Sequence, residues 1–411
     1  MAGDVLFLAH RLPYPPDRGD KMRSYHLLRH IAARAPVHLV CFADDAGEIA
    51  LAETLRPMLA SLHVERRRRS RLSAGLTALP TGRAISVDMF ASSGLRAHVD
   101  RLVAGGRIGT IFAFSSQMAQ FAPIGWRGRL LMDFVDVDSA KFAAYGQQSS
   151  GVGGWVYRRE GRRLAVWERA VAARADVSLF VSEQEAALFR KVLGRQAGRI
   201  AVLENGIDLD RYDPAGDFAR LSVADRGEGP LAVFTGQMDY RPNIEAVSIF
   251  ARHALPLVRA RMPGTRFAIV GRDPSPAVKA LGNLPGVTVT GAVADVRGWI
   301  AAADVVVAPL RLARGVQNKV LEAMAMGRPV IASPAAFEGI DAVSGSELVV
   351  ADGSAAEAEA VVALLADQAL AAGIGKRARA RMVVRYGWDA QLAALDGLLG
   401  LGGRSHREEA A

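Results

Sequence analysis

Val305-Val306-Val307-Ala308-Pro309-Leu310-Arg311-Leu312-Ala313-Arg314-Gly315-Val316-Gln317-Asn318-Lys319-Val320-Leu321-Glu322-Ala323-Met324-Ala325-Met326-Gly327-Arg328-Pro329-Val330-Ile331-Ala332 is the stretch that decides the fold. A β-branched apolar run, Val305 to Pro309, leads into a loop containing Gly315. A helical pattern then starts at about Gln317 and has Ala-Met-Ala-Met as its core side. Gly327-Arg328-Pro329 reads as an ordinary stop signal for it. A second apolar run, Val330 to Ala332, follows. Strand, loop, helix and strand in that order form one unit of a parallel sheet, because parallel neighbours need a crossover of this length.

The same alternation extends in both directions. Towards the N-terminus, strand-like runs read Val5 to Ala9, Val37 to Phe42, Leu62 to Glu65, Thr110 to Phe114, Leu130 to Phe134, Val177 to Val181 and Ile200 to Leu203. The pattern restarts at Leu231 to Thr235 and continues through Arg266 to Val270, Val287 to Thr290, Val305 to Pro309, Val330 to Ala332 and Leu348 to Val350. Between the two series, Leu209 to Pro230 is rich in Asp, Gly, Arg and Pro and reads as a connection. The expectation is an α/β chain of two Rossmann-like, doubly wound parallel-sheet domains, 1–205 and 206–387. A final helix, 388–400, carries Leu392, Leu395, Leu398 and Leu399 at helical spacing and is expected to pack back on the first domain. From Gly402 onward a frayed tail is expected.

Bulk properties narrow the classes. The 411 residues are half apolar and 23% charged, too long for one core and too apolar for disorder. The single cysteine, Cys41, excludes an intrachain disulfide framework and reads as a buried small hydrophobe. No run approaches the ~20 apolar residues of a membrane-spanning helix, and no secretory signal is apparent, so a cytoplasmic location is expected. Residues 1–205 carry 29 Lys and Arg against 19 Asp and Glu, and 206–411 carry 22 against 23, so the net charge of +9 resides in the first half. Its densest point, Arg66 to Arg69 with Arg71, suits an anionic membrane face or is a solvated loop. Nucleic acid is disfavoured, since no basic stripe interleaves with aromatics.

In open α/β sheets ligands bind beyond the carboxyl ends of the strands. In the second half those ends hold Gly236-Gln237-Met238-Asp239-Tyr240-Arg241-Pro242-Asn243, Gly271-Arg272-Asp273-Pro274, Gly291 and the Arg314 to Glu322 segment. Pro242 suits the first turn of a helix. The helix beginning near Gln317 offers unpaired N–H groups and the positive end of its dipole to an anion. Arg314 and Lys319 add full charges beside Gly315, and Glu322 lies one turn beyond Asn318, placed to accept from ribose hydroxyls. That combination suits a nucleoside diphosphate.

The order of these motifs resembles the retaining GT-B glycosyltransferases of family four, particularly those associated with bacterial exopolysaccharide and exosortase (PEP-CTERM) systems. The resemblance covers nearly the whole chain: Leu12 to Pro16 with Arg18-Gly19-Asp20-Lys21, Met132 to Ser139, Asn205 to Asp208, Gly236 to Asn243, and Gln317 to Glu322. It implies two domains facing a cleft, the first binding acceptor and the second a nucleotide-sugar donor, with retention of configuration and no metal or cofactor. Glu322 matches the second glutamate of the family's Glu-x7-Glu motif, which contacts the donor ribose; the first is replaced by Arg314. Where the family carries an Arg and a Lys for the diphosphate after the Gly236 strand, this chain has Gln237 and then Arg241, so Arg241 and Lys319 are the expected substitutes. Many relatives place a His where Val135 stands, which leaves Asp136 and Asp138 as the nearest polar candidates, or as a turn and helix cap.

The expected catalytic set is thus Arg314, Lys319, Asp136 and Asp138. Donor contacts are expected from Gly236, Arg241, Asn243, Gly271, Arg272, Gly315, Gln317, Asn318 and Glu322, and acceptor contacts from His10, Gly19, Asp20 and Lys21. His26 and His30, one turn apart, lack a third ligand and read as helix surface. The expected partners are a nucleotide-sugar donor, a saccharide or lipid-linked saccharide acceptor, and an anionic membrane face touched by the basic first half. A nicotinamide enzyme is disfavoured because no Gly-x-Gly-x-x-Gly follows a strand, and Gly375-Lys376 lacks the spacing of a P-loop. The rivals that keep the fold are a sugar-nucleotide epimerase and a non-catalytic nucleotide-sugar-binding component of polysaccharide assembly.

Overall fold

The computed structural model describes residues 3–16, 19–67, 71–193, 199–313 and 316–400. The chain divides into two units, one running to Asn205 and resumed from Gln391, the other spanning Gly206–Ala390. Arg314, Gly315, Arg18, Arg68, Arg69 and the tail from Gly402 lie outside the described residues.

The first unit holds a seven-stranded parallel sheet. Its strands are β1 (Asp4–Ala9), β2 (Val37–Ala43), β3 (Ser61–Arg66), β4 (Ile108–Phe114), β5 (Arg129–Val135), β6 (Val177–Phe180) and β7 (Ile200–Val202), in the order β3-β2-β1-β4-β5-β6-β7. β1 is buried from Val5 onward and β2 along its whole length, the near-continuous apolar pattern of strands covered on both faces. The second unit holds β8 (Leu231–Thr235), β9 (Arg266–Val270), β10 (Val287–Gly291), β11 (Val305–Ala308), β12 (Val330–Ala332) and β13 (Val349–Val350), in the order β10-β9-β8-β11-β12-β13. Both orders reverse direction beside their first strand. In the second sheet this switch lies between β8 and β11, where doubly wound folds hold nucleotides.

Two expectations change at this level. Leu209 to Pro230 reads as a connection, but Tyr212 and Phe218 are buried in the second unit's core, so these residues belong to that domain. His26 and His30 read as helix surface, yet both are buried on the helix Gly19–Ala32. The His30 imidazole lies 2.8 Å from Asp396 on the helix Trp388–Leu399, and Arg34 reaches the same carboxylate at 2.7 Å. The final helix therefore covers a face that the local sequence presents as exposed. Cys41 is buried, and burial pushes its thiol pKa up, which removes it from thiolate chemistry.

Among the described residues no single helix is long and apolar enough to cross a membrane. The bent pair Ser354–Ala366 and Gln368–Tyr386 meets such a test by composition only, and its Val361, Ile374, Ala378 and Met382 are packed into the second core.

Candidate functional site

At the carboxyl edge of the second sheet, two glycines let three segments meet. A Cβ on Gly271 would fall on the Gly236 carbonyl oxygen, so the loops after β8 and β9 touch backbone to backbone. The Gly236 N–H donates to Val270 (3.0 Å), Met238 N–H to the Arg272 carbonyl (2.9 Å), and Ser275 N–H to the Met238 carbonyl (3.2 Å). A Cβ on Gly236 would in turn lie 2.8 Å from Asn243 Nδ2 and 3.3 Å from Lys319 Nζ. Gly236 is thus the place where the end of β8, the following helix and the helix after β11 converge.

The polar groups here are few and fixed. Asn243, buried on the helix Arg241–Ile249, donates through Nδ2 to the Gln237 carbonyl at 2.8 Å. Its Oδ1 accepts from Lys319 Nζ at 2.5 Å. The Lys319 ammonium also lies 4.5 Å from the centroid of the Phe234 ring, a cation–π platform at the end of β8. Burial lowers the Lys319 pKa to about 8, with Glu322 opposing that shift. Among the described residues no salt bridge neutralises this cation.

Lys319 and Glu322 lie one turn apart on the helix Asn318–Ala325. Val320, Leu321, Ala323, Met324 and Ala325 are buried on this helix, and Lys319 and Glu322 are half-buried beside them. Gln317 occupies the N-cap position without a side-chain cap, and no acidic residue stands in the first turn. Gly327, with φ of +65°, ends the helix in a left-handed residue, the role its sequence context suggests. Burial raises the Glu322 pKa, and the Tyr212 hydroxyl hydrogen-bonded to it, with Arg211 and Lys319, pulls it back. The Tyr212 hydroxyl is pushed up by burial and by that carboxylate, so it stays protonated and donates. Arg241, Arg272 and Asn318 are exposed on the flanking segments, Arg272 3.9 Å from Asp273. Arg314 and Gly315 lie outside the described residues.

The first sheet's carboxyl edge is differently occupied. Lys21, expected at an acceptor, is buried and paired with Glu48 at 2.7 Å. His10 lies 3.4 Å from Asp20 and stacks on Phe114; together with Arg11, it holds the Asp20 carboxyl well below the usual carboxylate range. Gly19 opens the helix, with open space beside its Cα. Asp136 and Asp138 both reach Lys141 at 3.3 Å. Neither caps the helix Asp138–Gln148 through its side chain: the Ser139 N–H donates to Glu168 (3.0 Å) and the Val137 N–H to Glu185 (2.7 Å). Val135 has φ of +67°, an outlier for a β-branched residue, with its N–H held by Asp133 Oδ1 at 3.1 Å. Behind it Arg23 and Asp133 form a fully buried pair at 2.8 Å, and Arg23 also donates to the Leu203 carbonyl (2.7 Å) and Asn205 Oδ1 (2.9 Å).

Tyr212, Phe234 and Arg23 belong to none of the motifs read from the sequence. An aromatic residue in a polar stretch was the available signal for Tyr212; Phe234 and Arg23 gave none, being ordinary strand and helix residues. Among the described residues no group of three or more His, Cys, Asp or Glu is arranged to hold a metal ion.

Residues 19–206 match the family described as "Glycosyl transferase 4-like domain", and 229–367 match "Glycosyl transferases group 1". A GDP-mannose-dependent alpha-(1-6)-phosphatidylinositol monomannoside mannosyltransferase of Mycobacterium tuberculosis is 30% identical over 247 residues, 55% of this chain and 62% of that protein. D-inositol 3-phosphate glycosyltransferase 2 of Catenulispora acidiphila is 28% identical over 56% of this chain and 57% of its own length. The matches thus span less than two thirds of these relatives. Among solved structures, Anabaena Alr3699/HepE in complex with UDP superposes with a TM-score of 0.62 at 17% identity, covering 97% of this chain and 99% of that one. Sucrose-phosphate synthase of Thermosynechococcus elongatus gives 0.59 at 19%, covering 96% and 98%. These likenesses show the fold, GT-B architecture from two parallel-sheet α/β domains.

Proposed function

We propose that this chain, whose two halves are both glycosyltransferase-family domains, moves a sugar from a nucleoside-diphosphate sugar to a saccharide acceptor. The observation that carries this reading is the Lys319 ammonium, held on an amide oxygen and an aromatic face at the switch point of the second sheet, with no salt bridge among the described residues.

Glycosyl transfer breaks the bond between the anomeric carbon and a phosphate oxygen, so negative charge grows on the leaving diphosphate. A cation fixed in advance stabilises that charge most in the transition state. One ammonium about 4 Å from a phosphate oxygen contributes about 4 kcal/mol at the effective dielectric of a protein surface. The start of a helix contributes roughly 0.3–1 kcal/mol to an exposed anion. Lys319 is therefore the principal group, and the helix amides assist. Glu322, oriented by Tyr212, accepts from ribose hydroxyls and fixes the nucleoside.

Retention of configuration follows from the family resemblance. The acceptor hydroxyl attacks on the face from which the diphosphate departs, its oxygen bonds to the anomeric carbon, and its proton passes to the leaving phosphate. The scheme requires no covalent nucleophile, and Lys319 with the amides supplies the countercharge without a metal ion. The acceptor in this reading is a lipid-linked saccharide at the inner face of the cytoplasmic membrane, in bacterial exopolysaccharide synthesis. The basic first half supports it, and the Mycobacterium tuberculosis relative is itself named a phosphatidylinositol monomannoside mannosyltransferase.

The test incubates the protein with uridine, guanosine and adenosine diphosphate sugars, with and without extracted lipid-linked saccharides. The expected result is acceptor-dependent release of one nucleoside diphosphate and an axial or equatorial linkage matching that of the donor. Donor conversion without acceptor would make the chain an epimerase, and binding without turnover a non-catalytic component. Flotation with liposomes should rise with anionic lipid; indifference to it would remove the membrane from the reading.

A further inference from the structure

A cavity of about 800 Å³ opens in the second domain. Its rim contains Pro230, Asp304 and Pro329, which immediately precede β8, β11 and β12. It therefore lies at the amino edge of the sheet, opposite the edge that carries Lys319. At about 3.3 Å per residue, strands of this length separate the two edges by roughly 15 Å.

Four cationic residues line it, Arg226, Arg328, Lys376 and Arg379, against one carboxylate, Asp304. Arg226 is the one that carboxylate neutralises, at 2.9 Å. Arg379 donates to the carbonyls of Tyr212 and Ala325, both at 2.8 Å, and lies 3.9 Å from Asp213. Arg328 donates to the Ala303 carbonyl at 3.2 Å, but its Nε is buried without a partner. Lys376 is exposed at the rim. The guanidinium of Arg328 is destabilised by burial and by repulsion from Arg220 and Arg226, with Asp304 opposing. Arg226 and Arg379 have carboxylate partners, whereas Arg328 and Lys376 have no salt bridge among the described residues, so the lining keeps an excess of positive charge suited to an anion. Leu364, Leu365 and Ala372 also line it, and such apolar side chains suit a carbon skeleton.

We propose that this cavity is a second anion site of the domain, taking a soluble phosphorylated small molecule whose phosphate is held by Arg328, Lys376 and Arg379. It is separate from the donor edge and does not depend on the glycosyl-transfer reading.

Titration calorimetry on the full chain tests this, with glucose 6-phosphate as the probe and Lys319→Ala as a background that disables the donor edge. The expected result is saturable binding with Kd below about 1 mM in both the wild type and Lys319→Ala. Lys376→Glu, at an exposed position that leaves the fold intact, and Arg328→Gln should each weaken it by at least about 10-fold. Absence of saturable binding, or binding abolished by Lys319→Ala and indifferent to Lys376→Glu, would overturn the proposal.

Discussion

The two sheets share one strand order up to their sixth strands, yet their carboxyl edges are chemically opposite. At the first edge the charges are consumed within the domain: Arg23 by Asp133, Lys21 by Glu48, Arg11 by Asp20, and Lys141 by Asp136 and Asp138. At the second edge Lys319 rests on an amide oxygen and a ring, and the helix behind it starts without a side-chain cap. Topology brings residues to a sheet's edge, but it is the charge without a counterion that is ready for a ligand. The first edge is internally paired, down to a strained Val135, and the second keeps a cation with no salt bridge among the described residues.

Changes on the two sides should fail in different ways. The largest effect is expected from Arg23→Ala, which strands the Asp133 carboxylate in the core and should cost roughly 3–5 kcal/mol in urea unfolding. Nucleoside-diphosphate binding by the molecules that remain folded should be unchanged. Lys319→Ala should do the reverse, leaving the unfolding midpoint near the wild type and lowering turnover by at least ~100-fold. A mutant with near-normal turnover removes Lys319 from the mechanism. Gly271→Ala, whose new Cβ meets the Gly236 carbonyl, should cost about 1–3 kcal/mol of stability and weaken donor binding with it.

Finer changes sharpen the comparison. Tyr212→Phe deprives Glu322 of its donor and moves that carboxyl pKa further up, so the donor KM should rise about 10-fold and the acid limb of the pH profile should shift to higher pH. The smallest effect is one of pH alone. With its pKa lowered to about 8, Lys319 is charged below that pH and loses its proton as pH rises through it. Affinity for a nucleoside diphosphate should therefore fall above pH 8 in the wild type, and Lys319→Arg, which stays charged, should abolish the fall.

The architecture was legible because buried parallel strands leave uninterrupted apolar runs, and all thirteen runs read from the sequence correspond to strands. That Lys319, Asn243 and Glu322 come together at one edge was legible for a related reason, since they follow strand ends of the same sheet. Contacts made across long stretches of chain were not. His26 and His30 look exposed on an isolated helix, and it is Asp396, 366 residues beyond His30, that shows what covers them. Tyr212 looks like linker because the partner that gives it meaning, Glu322, comes 110 residues later. Lys21 and Asp136 were visible as charges, but their neutralisation by Glu48 and Lys141 is a property of the folded domain.

The central claim is that the ammonium at the switch point of the second sheet creates the diphosphate site. Calorimetric titration of the preferred nucleoside diphosphate into wild type and Lys319→Ala, at pH 7, tests it most directly. The account predicts micromolar binding weakened by at least about 100-fold in the variant. Equal affinities in the two proteins would contradict it.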